Sequence, residues 1–465
     1  MYLTNSQKIN EQLIDELLGI KDSFDIGKRE LYLYDKRNLI YTNNFLVNTD
    51  LLIQIIQSLF LNEFNNTDSY FDNFYKNISS ISVMTSKDLL EIETEVLKGL
   101  ACIIVADFDK AIIIDIRNYP TRGLSEPDGE KVVRGSKEGF TENIATNVAL
   151  LRRRIRSGKL KVKKFVVGDF SKTEIAYVYI DDLVNKVALN NAIDKIQKVK
   201  VNELTMTDKA LEELLSNRPY SPYPMVRYTE RPDTLAVHLY QGMFGIIVDT
   251  SPSVMIAPTS IFDHFQAPEE YRQTSMSGTF LRLLRFFGII VSFLLVPIWL
   301  CFVNQKDYSN TMLVNIMNLD YTRQSILIQL LISEISIELV RMASIHTPDS
   351  LSTSMGLIVG IILGGIGVEL GIVSQTIVLL GALSAIGTYI TPSYELALAN
   401  KIVKLIYIVI AYFFGMYGIL FFTIFMFFYL LSLKSFGQSY LKPLYPFSLK
   451  LLIRQFIRSP YKNKQ

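Results

Sequence analysis

Four ionisable residues, Glu334, Glu338, Arg341 and Glu369, stand where the 465-residue sequence is otherwise apolar. A charge at the centre of a bilayer costs about 2.5–3.5 kcal/mol on insertion scales, so such residues face protein or water and mark ion paths or internal pairs. The spacings of four and three place Glu334, Glu338 and Arg341 on one helix face, where Glu338 and Arg341 can pair. Glu369 has no partner within a helical turn, which points to a water-facing or interhelical role. Other chemistry is poorly provided for. Asp181 and Asp182 are adjacent at a strand end, where neighbouring side chains point to opposite faces and cannot share acid-base work. Cys102, Cys301 and three histidines give neither a disulfide framework nor transition-metal spacing. With no glycine-rich phosphate loop and no nucleophile elbow, we expect no enzyme, catalytic residue, cofactor or metal.

The segment carrying Glu369 is rich in glycine. At helical spacing Gly356, Gly360, Gly364, Gly367 and Gly371 share one face, the small-residue pattern that lets helices approach closely. Ile358, Ile362, Gly365 and Glu369 fall on the other face. That stripe either lines a water path with an apolar constriction at Ile358 and Ile362, or packs against another helix or lipid.

These positions need helices in a membrane to hold them. Phe286 to Val303 is uncharged and preceded by Arg282 and Arg285, which satisfies the length and flank rules for a span. Ser325 to Met342 is apolar apart from its three charges. Leu357 to Val373 and Thr376 to Ile390 are shorter apolar segments. Ile402 to Leu433 would run about 48 Å, longer than the ~30 Å hydrocarbon core, so it is tilted or broken near Gly415 and Gly418. We expect an all-α bundle of four to six spans over 282–433. The tail, 434–465, holds seven basic residues and no acidic one, which places it in the cytoplasm with the amino-terminal half and makes the span count even.

Upstream the character is α/β. Glu30 to Tyr34 and Asn38 to Val47 read as strands followed by a helix from Asp50; Lys164 to Phe170 and Glu174 to Val184 repeat the order before a helix from Ala188. Hairpins at 99–114 and 242–256 repeat as well. The spacing predicts two related α/β subdomains, 1–128 and 165–281, in a water-soluble half without a signal peptide. Between them 129–164 is predicted as a basic amphipathic linker helix, with Phe140, Ile144, Val148, Leu151 and Ile155 on one stripe. Arg152, Arg153, Arg154 and Arg156 lie mostly off it, either solvated or facing anionic lipid headgroups or a neighbouring subunit. Residues 282–465 hold 14 Lys or Arg against 7 Asp or Glu, leaving 33 against 38 upstream, so the soluble half lacks the basic face that nucleic acid requires.

Val132 to Asn143, running on to Leu150-Leu151-Arg152-Arg153-Arg154-Ile155, resembles the signature of the A subunits of spore germinant receptors, the GerA family. Glu230-Arg231-Pro232-Asp233, Gln266 to Arg272, Pro392-Ser393-Tyr394 and Lys434-Ser435-Phe436-Gly437 resemble it too, in order along nearly the whole chain. Asp249-Thr250-Ser251-Pro252-Ser253, where receptors usually have Asp-Gly, and Ile345 to Gly356 look like the stage V sporulation AF branch, and Ser136 agrees. The resemblance implies a homo-oligomeric ring, a pentamer, in the spore inner membrane, with a cytoplasmic collar facing the spore core and a pore for monovalent cations. It also implies a small membrane partner, other germination proteins, and a role in amplifying ion release. A secondary transporter subunit and a non-conducting scaffold are the alternatives. The first should show inverted repeats in the membrane half, and none is visible there; the second needs no water path.

Overall fold

The computed structural model describes residues 2–33, 35–61, 69–80, 82–119, 130, 135–216, 218–304, 323–345, 356 and 360–458. They form two compact units: the first takes in Met1–Pro219, Val226–Thr259 and Ser435–Gln438, the second Tyr220–Met225, Ser260–Lys434 and Ser439–Gln465.

In the first unit one order of elements occurs twice among the described residues. Helix α1 (Gln7–Leu18) precedes a hairpin, β1 (Ile26–Leu33) and β2 (Lys36–Asn43). Then come α2 (Thr49–Leu61), α3 (Tyr70–Lys76), β3 (Val83–Ser86), α4 (Leu89–Leu97) and a second hairpin, β4 (Ala101–Ile104) with β5 (Ala111–Ile114). The second copy runs α5 (Ile144–Arg154), β6 (Leu160–Val167), β7 (Thr173–Ile180), α6 (Lys186–Lys198), α7 (Thr207–Leu215), β8 (Arg227–Thr229), α8 (Pro232–Tyr240), β9 (Phe244–Val248) and β10 (Val254–Ala257). Both sheets are antiparallel, ordered β1-β2-β4-β5-β3 and β6-β7-β9-β10-β8.

Each sheet is buried on both faces, which is why its strands are continuous apolar runs rather than alternating ones. In the second sheet Tyr177, Phe244, Ile246 and Val248 meet α6 and α7 on one face. Val178, Ile247 and Ile256 meet α5 and α8 on the other. The first sheet is covered likewise, by α1 and α4 on one side and α2 and α3 on the other. This layering corrects the expected linker over 129–164. Helix α5 is the counterpart of α1, the opening element of the second repeat. It buries Ile144, Asn147, Val148, Ala149, Leu150, Leu151 and Arg152, and is no solvated spacer.

The second unit is helical. α9 (Ser275–Asn304), α10 (Arg323–Ile345), α11 (Gln375–Tyr389) and α12 (Tyr394–Ser432) share a core that includes Val296, Leu300, Leu330, Ile377, Leu380, Val403, Tyr407 and Ile408. A short helix, α13 (Leu449–Phe456), follows. α9 and α12 are long and apolar enough to cross a membrane, with mean hydropathies of 2.6 and 2.2. The expected break in the last apolar run falls at Gly415, whose φ of 61° and ψ of −147° lie outside any helix. Positions sixteen apart in a straight helix are about 24 Å apart, yet the Tyr407 hydroxyl lies 2.9 Å from Thr423 Oγ1 and the ring of Tyr407 4.7 Å from that of Phe422. α12 is therefore a hairpin of two helices. Gly418 completes it, since a Cβ there would sit 3.2 Å from the carbonyl oxygen of Ile410.

Candidate functional site

Three of the four charges singled out in the sequence, Glu334, Glu338 and Arg341, converge with two lysines that spacing did not reveal. Glu334 and Lys404 form an ion pair with both side chains 4% exposed. Lys404 also donates to Ser384 Oγ at 2.5 Å, and that hydroxyl donates to the Ser292 carbonyl at 2.6 Å. One turn along, Glu338 accepts from Arg341 Nε at 3.1 Å and pairs with Lys401, while the Arg341 guanidinium lies 4.9 Å from the Tyr394 ring. The pairings 338 with 401 and 334 with 404 run in opposite directions, so α10 and the first half of α12 are antiparallel. Three helices and a backbone carbonyl thus neutralise charges that the apolar setting makes costly. Removing one member of such a buried pair typically costs about 3–5 kcal/mol, because the survivor is left uncompensated.

Glycines where helices touch differ from those the periodicity selected. A Cβ on Gly387 would lie 2.3 Å from the Gly288 carbonyl oxygen, and one on Gly381 would lie 3.0 Å from Ser333 Oγ. Ser384 and Gly387 on α11 face Ser292 and Gly288 on α9, while Gly381 faces Ser333 on α10, small residues that stand at spacings of three and four in the sequence. By contrast, among the described residues nothing lies within 4 Å of a Cβ built at Gly356, Gly360, Gly364, Gly365 or Gly371, and Gly367 meets only the Ile362 carbonyl. The expected close packing of that face is not made among the described residues.

Nor does the 3.6-residue reading carry through this segment, because Gly360–Ile366 is a π-helix with wider turns. Ile358 lies outside the described residues. Ile362 is 50% exposed, and Gly365 and Glu369 are exposed as well. Ile361, Ile366, Leu370 and Ile372 are also open. The segment is anchored at its far end, where Val373 enters the core and Gln329 Oε1 accepts from the Ser374 amide at 2.9 Å. Among the described residues Glu369 makes no ion pair.

The four arginines in and just after α5 separate sharply. Arg152 is fully buried and binds Asp25 through two bonds of 2.9 and 3.0 Å, and its Nη1 donates to the carbonyls of Ser157 and Leu160. It pins the second repeat to the first and presents no charge outward, contrary to the lipid or subunit contact expected of it. Arg153 and Arg154 both bind Glu138, and Arg156 is exposed. Arg231 of the Glu230 to Asp233 stretch is also buried. It holds Asp233 at 3.0 Å and donates to the carbonyls of Glu130 and Ser136, so two motifs distant in sequence are stapled together. Beside it His238 Nε2 accepts from Arg227 at 3.2 Å, which leaves Nδ1 protonated toward Gln241. Burial, and then the Arg227 guanidinium, hold His238 down to about 3, so it stays neutral. The signature residues Val132, Val133 and Arg134 lie outside the described residues.

Comparison with known proteins matches residues 12–465 to the family described as Bacillus/Clostridium GerA spore germination protein. The chain is 42% identical to Stage V sporulation protein AF of Bacillus subtilis (strain 168), over 97% of this chain and 92% of that one. It is 32% identical to Spore germination protein A1 of the same organism, covering 82% and 79%. With the uncharacterized membrane protein YfkQ, also from that strain, it shares 31% over 83% and 75%. Among solved structures, the N-terminal domain of the A subunit of the Bacillus megaterium spore germinant receptor GerK3 aligns with 56% of this chain and 96% of that domain, at 23% identity and a TM-score of 0.43.

Proposed function

The chain belongs to the GerA family of spore germination proteins, and from that premise we propose that it is one subunit of an oligomeric, pentameric ion channel in the spore inner membrane. In this reading residues 282–433 cross the bilayer, while the repeats and the tail stand on the cytoplasmic side. The channel releases monovalent cations and amplifies germination, together with a small membrane partner and other germination proteins.

The observation that carries the proposal is the state of residues 360–372 in a single chain. This apolar, glycine-rich segment is open on its flanks, and it ends beside an acid with no ion partner among the described residues. Glu334, Glu338, Arg341, Lys401 and Lys404 pair with one another inside the bundle, so they act as structural ties rather than as a conduit. Glu369 is the acid left to face water. Neighbouring copies would cover the glycines Gly356, Gly360, Gly364 and Gly367 and enclose Ile358, Ile362, Gly365 and Glu369 around a lumen, the isoleucines forming a constriction that closes by dewetting.

The test is cation flux from vesicles containing the purified full chain, supplemented with its partner. The proposal expects potassium release, reduced several-fold by Glu369→Gln and raised at rest by Ile362→Ala, with assembly unchanged in both variants. Silent vesicles holding a verified oligomer would contradict it and favour a scaffold.

A further inference from the structure

Helix α13 and the strand of chain before it form a surface that none of the preceding interactions uses. At 100° per residue Leu449 and Ile453 fall in one stripe, with Ile457 just past the end of the helix, and Lys450 and Arg454 fall in the stripe beside it. All five are exposed, Leu449 at 58%, Ile453 at 47% and Ile457 at 51%. Just upstream Tyr445 and Phe447 stand out at 60% and 68%. No acidic residue occurs anywhere in 434–465.

The position of this helix is fixed by the other side of it. Phe456 packs against Phe286 with ring centroids 4.6 Å apart and also meets Phe262. Arg282 donates to the carbonyls of Arg454 and Gln455 at 3.0 and 3.1 Å, capping the end of α13 where helix carbonyls lack partners. Arg458 in turn holds the carbonyl of Tyr271 at 2.6 Å and, through its amide, the hydroxyl of Thr279 at 3.1 Å. Phe286 opens the uncharged run of α9, and Arg282 stands one turn before it. α13 is therefore clamped at the level where the polar flank of α9 gives way to its apolar length. Arg282 and Arg285 both bind Glu270, so neither of them is free to meet a headgroup.

We propose that α13 and the Tyr445–Phe447 turn form an interfacial foot that lies on the anionic phospholipid surface. Leu449, Ile453, Ile457 and Phe447 enter the acyl boundary, and Lys450 and Arg454 meet the headgroup phosphates. Adjacent apolar and basic stripes, a hydrophobic helix face and a net positive segment are the features that seat a short helix in the plane of a bilayer. A protein partner matched to this surface would have to supply acids beside an apolar groove, whereas a bilayer of anionic lipid offers both along its whole surface. The inference rests on the membrane placement of α9 and not on conduction.

The test uses the full chain carrying Ile453→Cys, labelled with a fluorophore and reconstituted into phosphatidylcholine vesicles with or without phosphatidylglycerol. Cys102 and Cys301 are buried and leave the label site-specific. Brominated lipid should quench the label strongly in the anionic vesicles while aqueous iodide does not. Each cation near an anionic surface is worth a factor of about 5, so Lys450→Gln with Arg454→Gln should lower the ratio of seated to free helix about 25-fold there. In neutral vesicles the same pair of changes should have little effect. Phe447→Cys gives a second reporter outside the helix, and Phe287→Cys on the exposed side of α9 reports the membrane reading itself. Quenching by iodide alone at Ile453 and Phe447, or protection from both quenchers by a covering protein, overturns the foot while the Phe287 label still meets lipid. A Phe287 label untouched by brominated lipid overturns both readings.

Discussion

Thr250 holds a φ of 69°, a region that β-branched residues rarely occupy, and its amide donates to the Glu142 carbonyl at 2.7 Å. The turn between β9 and β10 holds this backbone, which glycine adopts freely and in which threonine is strained. Thr250→Gly relieves strain of about 1–3 kcal/mol and gives back under ~1 kcal/mol in unfolded-chain entropy. The variant should therefore raise the stability of the full chain by about 1 kcal/mol in chemical unfolding, and a loss of stability would refute the strain. At the same scale, the sequence disclosed the Glu338–Arg341 pair because its members are three residues apart on one helix. It concealed Lys401 and Lys404, which reach the acids from another helix, and it could not distinguish Arg152 from its neighbours. The partner of Arg152 lies 127 residues away, and only burial tells a structural arginine from a solvated one. Spacing reports what one element can do by itself, and these pairs belong to two.

Among elements, the repeat was legible because β-branched strands at matching separations leave a pattern that survives loss of identity. Its opening helix was missed, since α1 and α5 match in place and not in residue. The glycine row misled for a related reason. Gly356 to Gly371 have the spacing of a packing face, but contacts within the chain use Gly288, Gly381 and Gly387, and the π-turn disrupts the expected stripe. The break in the last apolar run was readable from length alone, whereas the doubling back was not, because it depends on one backbone angle. That angle is confined to glycine. Gly415→Ala should cost about 1–3 kcal/mol at the turn and open the hairpin. Paired cysteines replacing Tyr407 and Thr423 should cross-link readily in the parent chain and poorly in the variant; equal yields would show that the turn tolerates a side chain.

For the whole molecule, the hairpin matters to topology. In the proposed membrane placement, turning one apolar run into two shorter helices would add a pass and bring the basic tail back to the side from which the first of them set out. Residues 12–465 match a single family, and among the described residues Glu334 and Glu338 are matched by an arginine and two lysines while Glu369 makes no ion pair. Both the resemblance and the open flank of 360–372 lead to the claim that several copies surround a conduit. Single-particle imaging of the purified full-length assembly tests this most directly. The account predicts a five-fold ring whose lumen is lined by residues 358–369 with Glu369 toward water. A particle in which that segment faces lipid or a partner protein, with no lumen between copies, would contradict it.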